Sequence, residues 1–170
     1  MIRLLVLHHL NQKVLTMYGI SKEIMSVFSV LTTPSLGTLQ PALINLEKDG
    51  FIKSQKTISE GGRRSSFYSI TKDGKLELKR IILEKPCENP VQFLPTSRVK
   101  LACADVLDED EKKQLFKTLK LKAESIMIDT KNLVKNSDFD FYERMVFDNL
   151  ICEYKNFITL LEGFERAGNN

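Results

Sequence analysis

Apolar residues recur along this chain with two different periods, and the places where the period changes mark its elements. Leu36, Leu39, Leu43 and Leu46 are spaced by three, four and three, which at roughly 100° per residue puts them on one helix face. Ser35 precedes them as a candidate N-cap, and Asp49-Gly50 follows as a stop. Pro41 falls inside this pattern. Because proline removes a backbone donor, either an irregular first turn or a start later than Ser35 is predicted. From Phe51 to Ile58 the alternation is weak, whereas Phe67, Tyr68 and Ile70 are better strand material. Ser59-Glu60-Gly61-Gly62 between them supplies the positive φ angles of a tight turn. Thr71 then caps a helix ending near Leu83 or Glu84. At the start of the chain, Leu4, Leu5, Val6, Leu7 and Leu10 predict a first helix that packs inward.

After Glu84 come Pro86, Pro90 and Pro95, which rule out a continuous helix and predict a linker or extended crossing, with a short segment from Arg98 to Leu107. Two long helical patterns follow. Phe116, Leu119, Ala123, Ile126, Thr130 and Leu133 make one stripe; Phe147, Leu150, Tyr154, Phe157, Leu161 and Phe164 make the other, with Asn136-Ser137-Asp138 between. The run Asp108-Glu109-Asp110-Glu111 reads as the N-terminus of the first long helix, since carboxylates favour that end and Lys112-Lys113 follow. An antiparallel hairpin of this kind has too little surface to hide both stripes together with Tyr142, Met145, Val146, Ile151 and Ile158. A second copy of the chain could supply the missing cover.

The helix before the two strands also has a polar side. Thr38, Pro41, Asn45 and Lys48 stand opposite the leucines, with Gln40 and Ile44 at the edge. Asn and Gln can pair with adenine edges, Thr can meet a thymine methyl or a phosphate, and Lys neutralises phosphate. Arg63 and Arg64 leave the turn beside it. A polar helix followed at once by a hairpin with an arginine pair at its tip is how a winged helix-turn-helix presents itself to duplex DNA. The candidate DNA-binding residues are Ser35, Thr38, Gln40, Pro41, Asn45, Lys48, Lys56, Arg63, Arg64 and Ser66.

Charge distribution sharpens this reading more than the total does. The chain carries net +3, but residues 1–85 hold 13 Lys and Arg against 7 Asp and Glu, and residues 86–170 hold 12 against 15. The basic half is the one with the polar helix, as phosphate attraction requires.

Other chemistries find little support. His8 and His9 are adjacent and diverge by about 100° on a helix, so they do not share a metal comfortably; packing or surface placement explains them. Cys87, Cys103 and Cys152 lack CxxC spacing, which signals neither a zinc cluster nor a disulfide framework. Gly61-Gly62 lacks the lysine and helix of a phosphate loop, and no Ser or Cys stands in a nucleophile signature. No catalytic residue, metal or cofactor is expected. The opening apolar run is too short to span a bilayer and is not followed by a cleavage site, so a cytoplasmic protein is expected.

The segments LLVLHHL at 4–10, MYGISKEI at 17–24, PSLGTLQPALINLEKDGFI at 34–52 and GGRRSSFYSITKDG at 61–74 resemble the PadR family of transcriptional regulators. That family orders a first helix, a Tyr-Gly-aliphatic opener, a recognition helix with Leu-aromatic-Pro-x-Leu-x-x-Leu-Glu-x-x-Gly, and a wing ending in Tyr-x-Leu-Thr-x-x-Gly. Pro41 stands at the family's proline, and Gln40 departs from its usual aromatic. The resemblance covers about residues 2–84 and implies C-terminal helices that commonly dimerise.

Together these observations predict a mostly α protein with a small two-stranded wing: a winged helix-turn-helix over residues 1–85, a linker and short segment over 86–107, and a helical dimerisation or effector region over 108–170. The expected function is sequence-specific regulation of transcription, as a repressor binding a pseudo-palindromic operator through residues 35–49 and a wing of residues 59–66. The expected partners are double-stranded DNA and a second copy, through Phe147, Leu150, Tyr154, Phe157, Leu161 and Phe164. A small apolar or aromatic effector is the third, near Phe93, Phe139, Phe141 and Tyr142 where the first helix meets the hairpin. The alternative is a winged-helix module that binds protein; it has no need of Arg63-Arg64 or of a basic N-terminal half.

Overall fold

The computed structural model describes residues 1–58 and 64–167, with Ile58 and Arg64 as backbone only. The chain divides into two compact units, one of residues 1–84 and 94–106 and one of residues 85–93 and 107–170.

In the first unit the order is α1 (Ile2–Gln12), β1 (Leu15–Thr16), α2 (Met17–Phe28), α3 (Leu36–Lys48), β2 (Ile52–Ile58), β3 (Arg64–Ile70) and α4 (Lys72–Leu83). α1 is the centre of the packing. Leu4, Leu5, Val6, Leu7 and Leu10 are all buried, and the helix meets α2, α3, α4 and β3. The sheet is antiparallel in the order β1-β3-β2, with Ile52 opposite Ile70 and Lys56 opposite Ser66. It has three strands where the sequence predicted two. β1 is two residues long, pairing Leu15 with Tyr68 and Thr16 with Phe67, and two residues carry no periodic signal.

Side-chain caps set the helix starts. Thr16 caps α2 through the Gly19 N–H at 3.1 Å, and Thr71 caps α4 through the Gly74 N–H at 3.0 Å. The Thr71 hydroxyl also donates to the Gly50 carbonyl at 2.8 Å, which ties the end of α3 to the start of α4.

The stretch read as a linker contains a further helix, α5 (Pro90–Ala102). Its residues up to Phe93 belong to the second unit and those from Leu94 to the first. Asn89 opens it, accepting the Val91 N–H at 3.0 Å through its side chain. Pro90 then occupies the first helical position, where its missing donor costs nothing, and Pro95 removes only one bond within the helix. The prolines therefore separate α4 from α5 without preventing α5. A 3₁₀ turn, Ala104–Val106, follows.

The second unit is built on α6 (Glu109–Asn136) and α7 (Phe141–Ala167), which pack along one another. Asp108 and Glu111 form the reciprocal cap expected of the acidic run: the Glu111 N–H donates to Asp108 and the Asp108 N–H to Glu111, both at 2.9 Å. Asp140 and Glu143 repeat the device at α7. Leu115, Phe116, Leu119, Ala123, Ile126, Thr130 and Val134 are buried along α6. Leu133, predicted for the stripe, is exposed, because spacings of four after Ile126 carry the buried face to Val134.

Candidate nucleic-acid interface

α3 begins at Leu36 with Ser35 as its N-cap and runs through Pro41 without a break. The irregular turn or late start predicted from the proline does not occur. The residue four earlier, whose carbonyl would have accepted the missing bond, is Gly37, and the helix forgoes one internal hydrogen bond at that point. The buried face is Leu39, Ala42, Leu43 and Leu46, while Leu36 is exposed. Leu36, predicted for the stripe, lies roughly 70° from the centre of that arc, beyond the reach of the core.

The C-terminus of α3 closes on glycine. Gly50 has φ 79°; its N–H donates to the Glu47 carbonyl at 3.0 Å and that of Phe51 to the Leu46 carbonyl at 2.9 Å. That reciprocal pair needs a left-handed residue, which glycine supplies at least cost.

The face opposite the core is open. Thr38, Gln40, Pro41, Ile44, Asn45 and Lys48 are all exposed along one side of α3. Ser35 accepts from the Thr38 N–H at 3.3 Å, and the two hydroxyls lie 2.8 Å apart. The first turn thus presents its hydroxyls as a pre-ordered pair. Glu47 accepts from both the N–H and the hydroxyl of Ser54, which locks α3 to β2. On the sheet, Lys56 is exposed and Ser66 half-buried, and the two sit directly opposite each other. Among the described residues Lys48, Lys53 and Lys56 have no carboxylate partner, whereas Arg3 is engaged by Asp49 at 3.2 Å and Glu77 at 3.5 Å. The Arg80 guanidinium, paired with Glu77 at 2.6 Å, holds that carboxyl below its usual range. Among the described residues, then, the lysines beside the open face of α3 are free of carboxylates. Arg63 and the turn at 59–62 lie outside the described residues, and Arg64 opens β3 opposite Ile58.

The residues singled out in the second unit divide by burial. Tyr154, Phe157 and Leu161 are buried within the unit; the rings of Tyr154 and Phe157 lie 6.2 and 5.9 Å from that of Phe93. Phe147 stacks on Phe139 at 4.8 Å, and Phe164 on Phe116 at 5.5 Å. Leu150 is half-buried. Of the four aromatics expected near an effector, Phe93 is fully buried and Phe139 is covered by its stack, while Phe141 and Tyr142 are 71% and 78% exposed. Met145 and Val146 continue that exposed patch, which the apolar stripe did not single out.

Among the described residues no group of three His, Cys, Asp or Glu could hold a metal ion. Burial, with Asp105 nearby, pushes the Cys103 thiol up to about 12, so it carries no nucleophilic thiolate at neutral pH. Among the same residues no helix is long and apolar enough to cross a membrane.

A helix with an open, largely polar face, a β-hairpin beside it and exposed lysines on both define a winged helix-turn-helix DNA-binding unit. Residues 6–80 match the model of the transcriptional regulator PadR-like family, and the chain belongs to that family: it is a DNA-binding transcriptional regulator and not an enzyme. Among solved structures, a PadR family transcription regulator from Clostridium difficile is similar at 30% identity over 46% of this chain and 79% of that one, with a TM-score of 0.41. A transcriptional regulator from Clostridium thermocellum is similar at 30% identity over 46% and 76%, with a TM-score of 0.43. Bacillus subtilis PadR in complex with operator DNA is similar at 20% identity over 95% and 94%, with a TM-score of 0.48. Among curated proteins none matches.

Proposed function

We propose that this regulator is a cytoplasmic dimeric repressor that reads a pseudo-palindromic operator with α3 and holds it with the wing. The observation that carries the reading is the segregation of α3: four apolar residues buried on one side, and on the other an exposed face on which Thr38, Gln40, Asn45 and Lys48 surround Pro41 and Ile44. Of the candidate contacts, Thr38, Gln40 and Asn45 are of base-reading type. Ser35, Lys48, Lys56, Arg63, Arg64 and Ser66 suit phosphate. Pro41 fixes the shape of the helix between them. Occupation of a promoter by such a unit blocks transcription without any further activity.

The test is binding to operator duplexes selected from random sequence. Asn45→Ala is expected to lose about 1–3 kcal/mol against the selected site and to bind unselected duplex as the parent does. Equal losses on both would place Asn45 on the backbone, and adding the protein to a transcription reaction on that template is expected to lower its yield.

Dimerisation draws on the second unit. Tyr154, Phe157 and Leu161 are filled from within it, so the surface offered to a second copy is the exposed patch Phe141, Tyr142, Met145 and Val146, flanked by Phe147 and Leu150. A contiguous exposed apolar patch on a helix marks an interaction site, and two half-sites multiply a modest single-unit affinity. Sedimentation is expected to give a dimer at low micromolar concentration and a monomer for Tyr142→Lys/Val146→Glu. A monomeric parent chain would remove the dimer model.

A further inference from the structure

α1 buries two adjacent histidines. His8 and His9 are 5% and 3% exposed, with ring centroids 5.5 Å apart in an edge-to-face contact. They meet different neighbours, as adjacent helical positions must. His8 Nε2 lies 2.7 Å from Asp105 Oδ1, in the 3₁₀ turn of the same unit. His9 faces α2, its ring 5.8 Å from that of Phe28. Among the described residues neither ring nitrogen of His9 has a hydrogen-bond partner, and His8 Nδ1 has none. A neutral imidazole carries one donor and one acceptor, and burying both unpaired is unfavourable where a phenyl ring would fill the space without loss. Packing alone therefore does not account for a histidine at position 9. What histidine adds is a proton that can come and go near neutrality.

We propose that the His8–His9 pair is an acid-sensitive latch in the winged-helix unit: proton uptake at His9 frees α1 from α2 and weakens DNA binding. The second half of this inference rests on the DNA-binding reading above; the first does not. The charges acting on His9 are His8 on its own helix, Glu23 of α2 and Lys13 after α1, and the last two pair with each other at 2.7 Å. Asp105 is engaged by His8, and the Cys103 thiol beside it is neutral. From α3 and α4, Asp49 and Glu77 meet Arg3, about 9 Å along α1 from His9; among the described side chains of β3 the titratable one is Tyr68, held neutral by burial. Among the described residues no carboxylate is therefore committed to a protonated His9.

Burial first, and His8 second, hold the His9 imidazole below its ordinary value. The unfolded chain titrates near ~6.5. Above that pH both states are neutral and stability is full. As pH falls through it, the unfolded or opened chain takes up a proton that the closed unit refuses, and stability declines until the lowered folded value is reached. Acidification alone makes the protein more positive and strengthens phosphate binding, so a fall in affinity runs against the general trend.

The experiment compares the full chain with His9→Phe from pH 7.5 to 5.5, by thermal midpoint, by NMR titration of the histidine ring protons, and by binding to a fluorescent duplex. The parent is expected to lose more of its thermal midpoint than the variant over that range, because the folded chain holds the His9 proton more weakly than the unfolded chain does. The His9 ring is expected to titrate below ~6.5. Parallel midpoint profiles, or a His9 that titrates at or above its ordinary value, overturn the latch. The titration decides this even if His9→Phe fails to fold. A duplex affinity that tracks the variant's at every pH overturns the coupling to DNA. No duplex binding at pH 7.5 removes the DNA-binding reading and leaves the latch to the midpoints and the titration.

Discussion

Gly74→Ala is expected to destabilise the first unit by about 3 kcal/mol, seen as a lowered thermal midpoint of the full chain. A Cβ at Gly74 would stand 2.0 Å from the Phe51 carbonyl oxygen and 2.7 Å from Cγ1 of Ile70. Neither neighbour can easily give way. The Phe51 carbonyl accepts the Thr71 N–H at 3.0 Å and the Thr71 hydroxyl at 3.1 Å, and Ile70 is the last residue of β3, opposite Ile52. The end of α3, both long strands and the cap of α4 converge on this point, so relieving the clash breaks one of them. Gly163→Ala in α7 is the internal control. A Cβ there meets nothing within 4 Å, and alanine in a helix interior is expected to gain up to about 1 kcal/mol. Equal effects at the two glycines would show that close approach at Gly74 is not what requires it.

Arg63→Ala/Arg64→Ala is expected to flatten the salt dependence of DNA binding by about one to two units in the log–log slope. At 0.1 M salt that corresponds to roughly eightfold weaker affinity for each phosphate left without its cation. The loss should be the same on selected and unselected duplexes, since backbone contacts carry no sequence information. This separates the wing from α3, where Asn45→Ala should change sequence preference and leave the slope nearly unmoved. Lys48→Ala, at an exposed lysine without a carboxylate partner among the described residues, should resemble the arginine pair and contribute about one unit. An unchanged slope in the arginine variant would remove the wing from the interface.

Much of the recognition unit was legible in the residues themselves, and the legible parts share a physical origin. Ser35, Thr71 and Asp108 cap helices through backbone groups three residues away, and Gly50 ends α3 through groups three and five residues back. Such contacts are decided by neighbours in the chain, so spacing reveals them. The polar face of α3 was legible for the same reason, since helical periodicity assigns Thr38, Asn45 and Lys48 to the side opposite the leucines.

Contacts between residues far apart in the chain required the fold. Helical phase placed Leu36 near the stripe, but the core stops short of it and takes Ala42 instead. β1 exists because Leu15 and Thr16 meet Tyr68 and Phe67, about fifty residues later, and α5 forms across a stretch whose prolines suggested an extended crossing. The α7 stripe has the period that a subunit seam would need, yet Phe93 and α6 already cover Tyr154, Phe157 and Leu161. Periodicity shows that a face must be covered and is silent on what covers it. The histidines of α1 divide in the same way: adjacency spoke against a shared metal from the sequence alone, while the isolation of the His9 nitrogens among the described residues and the contact of His8 with Asp105, 97 positions away, arise only from packing in three dimensions.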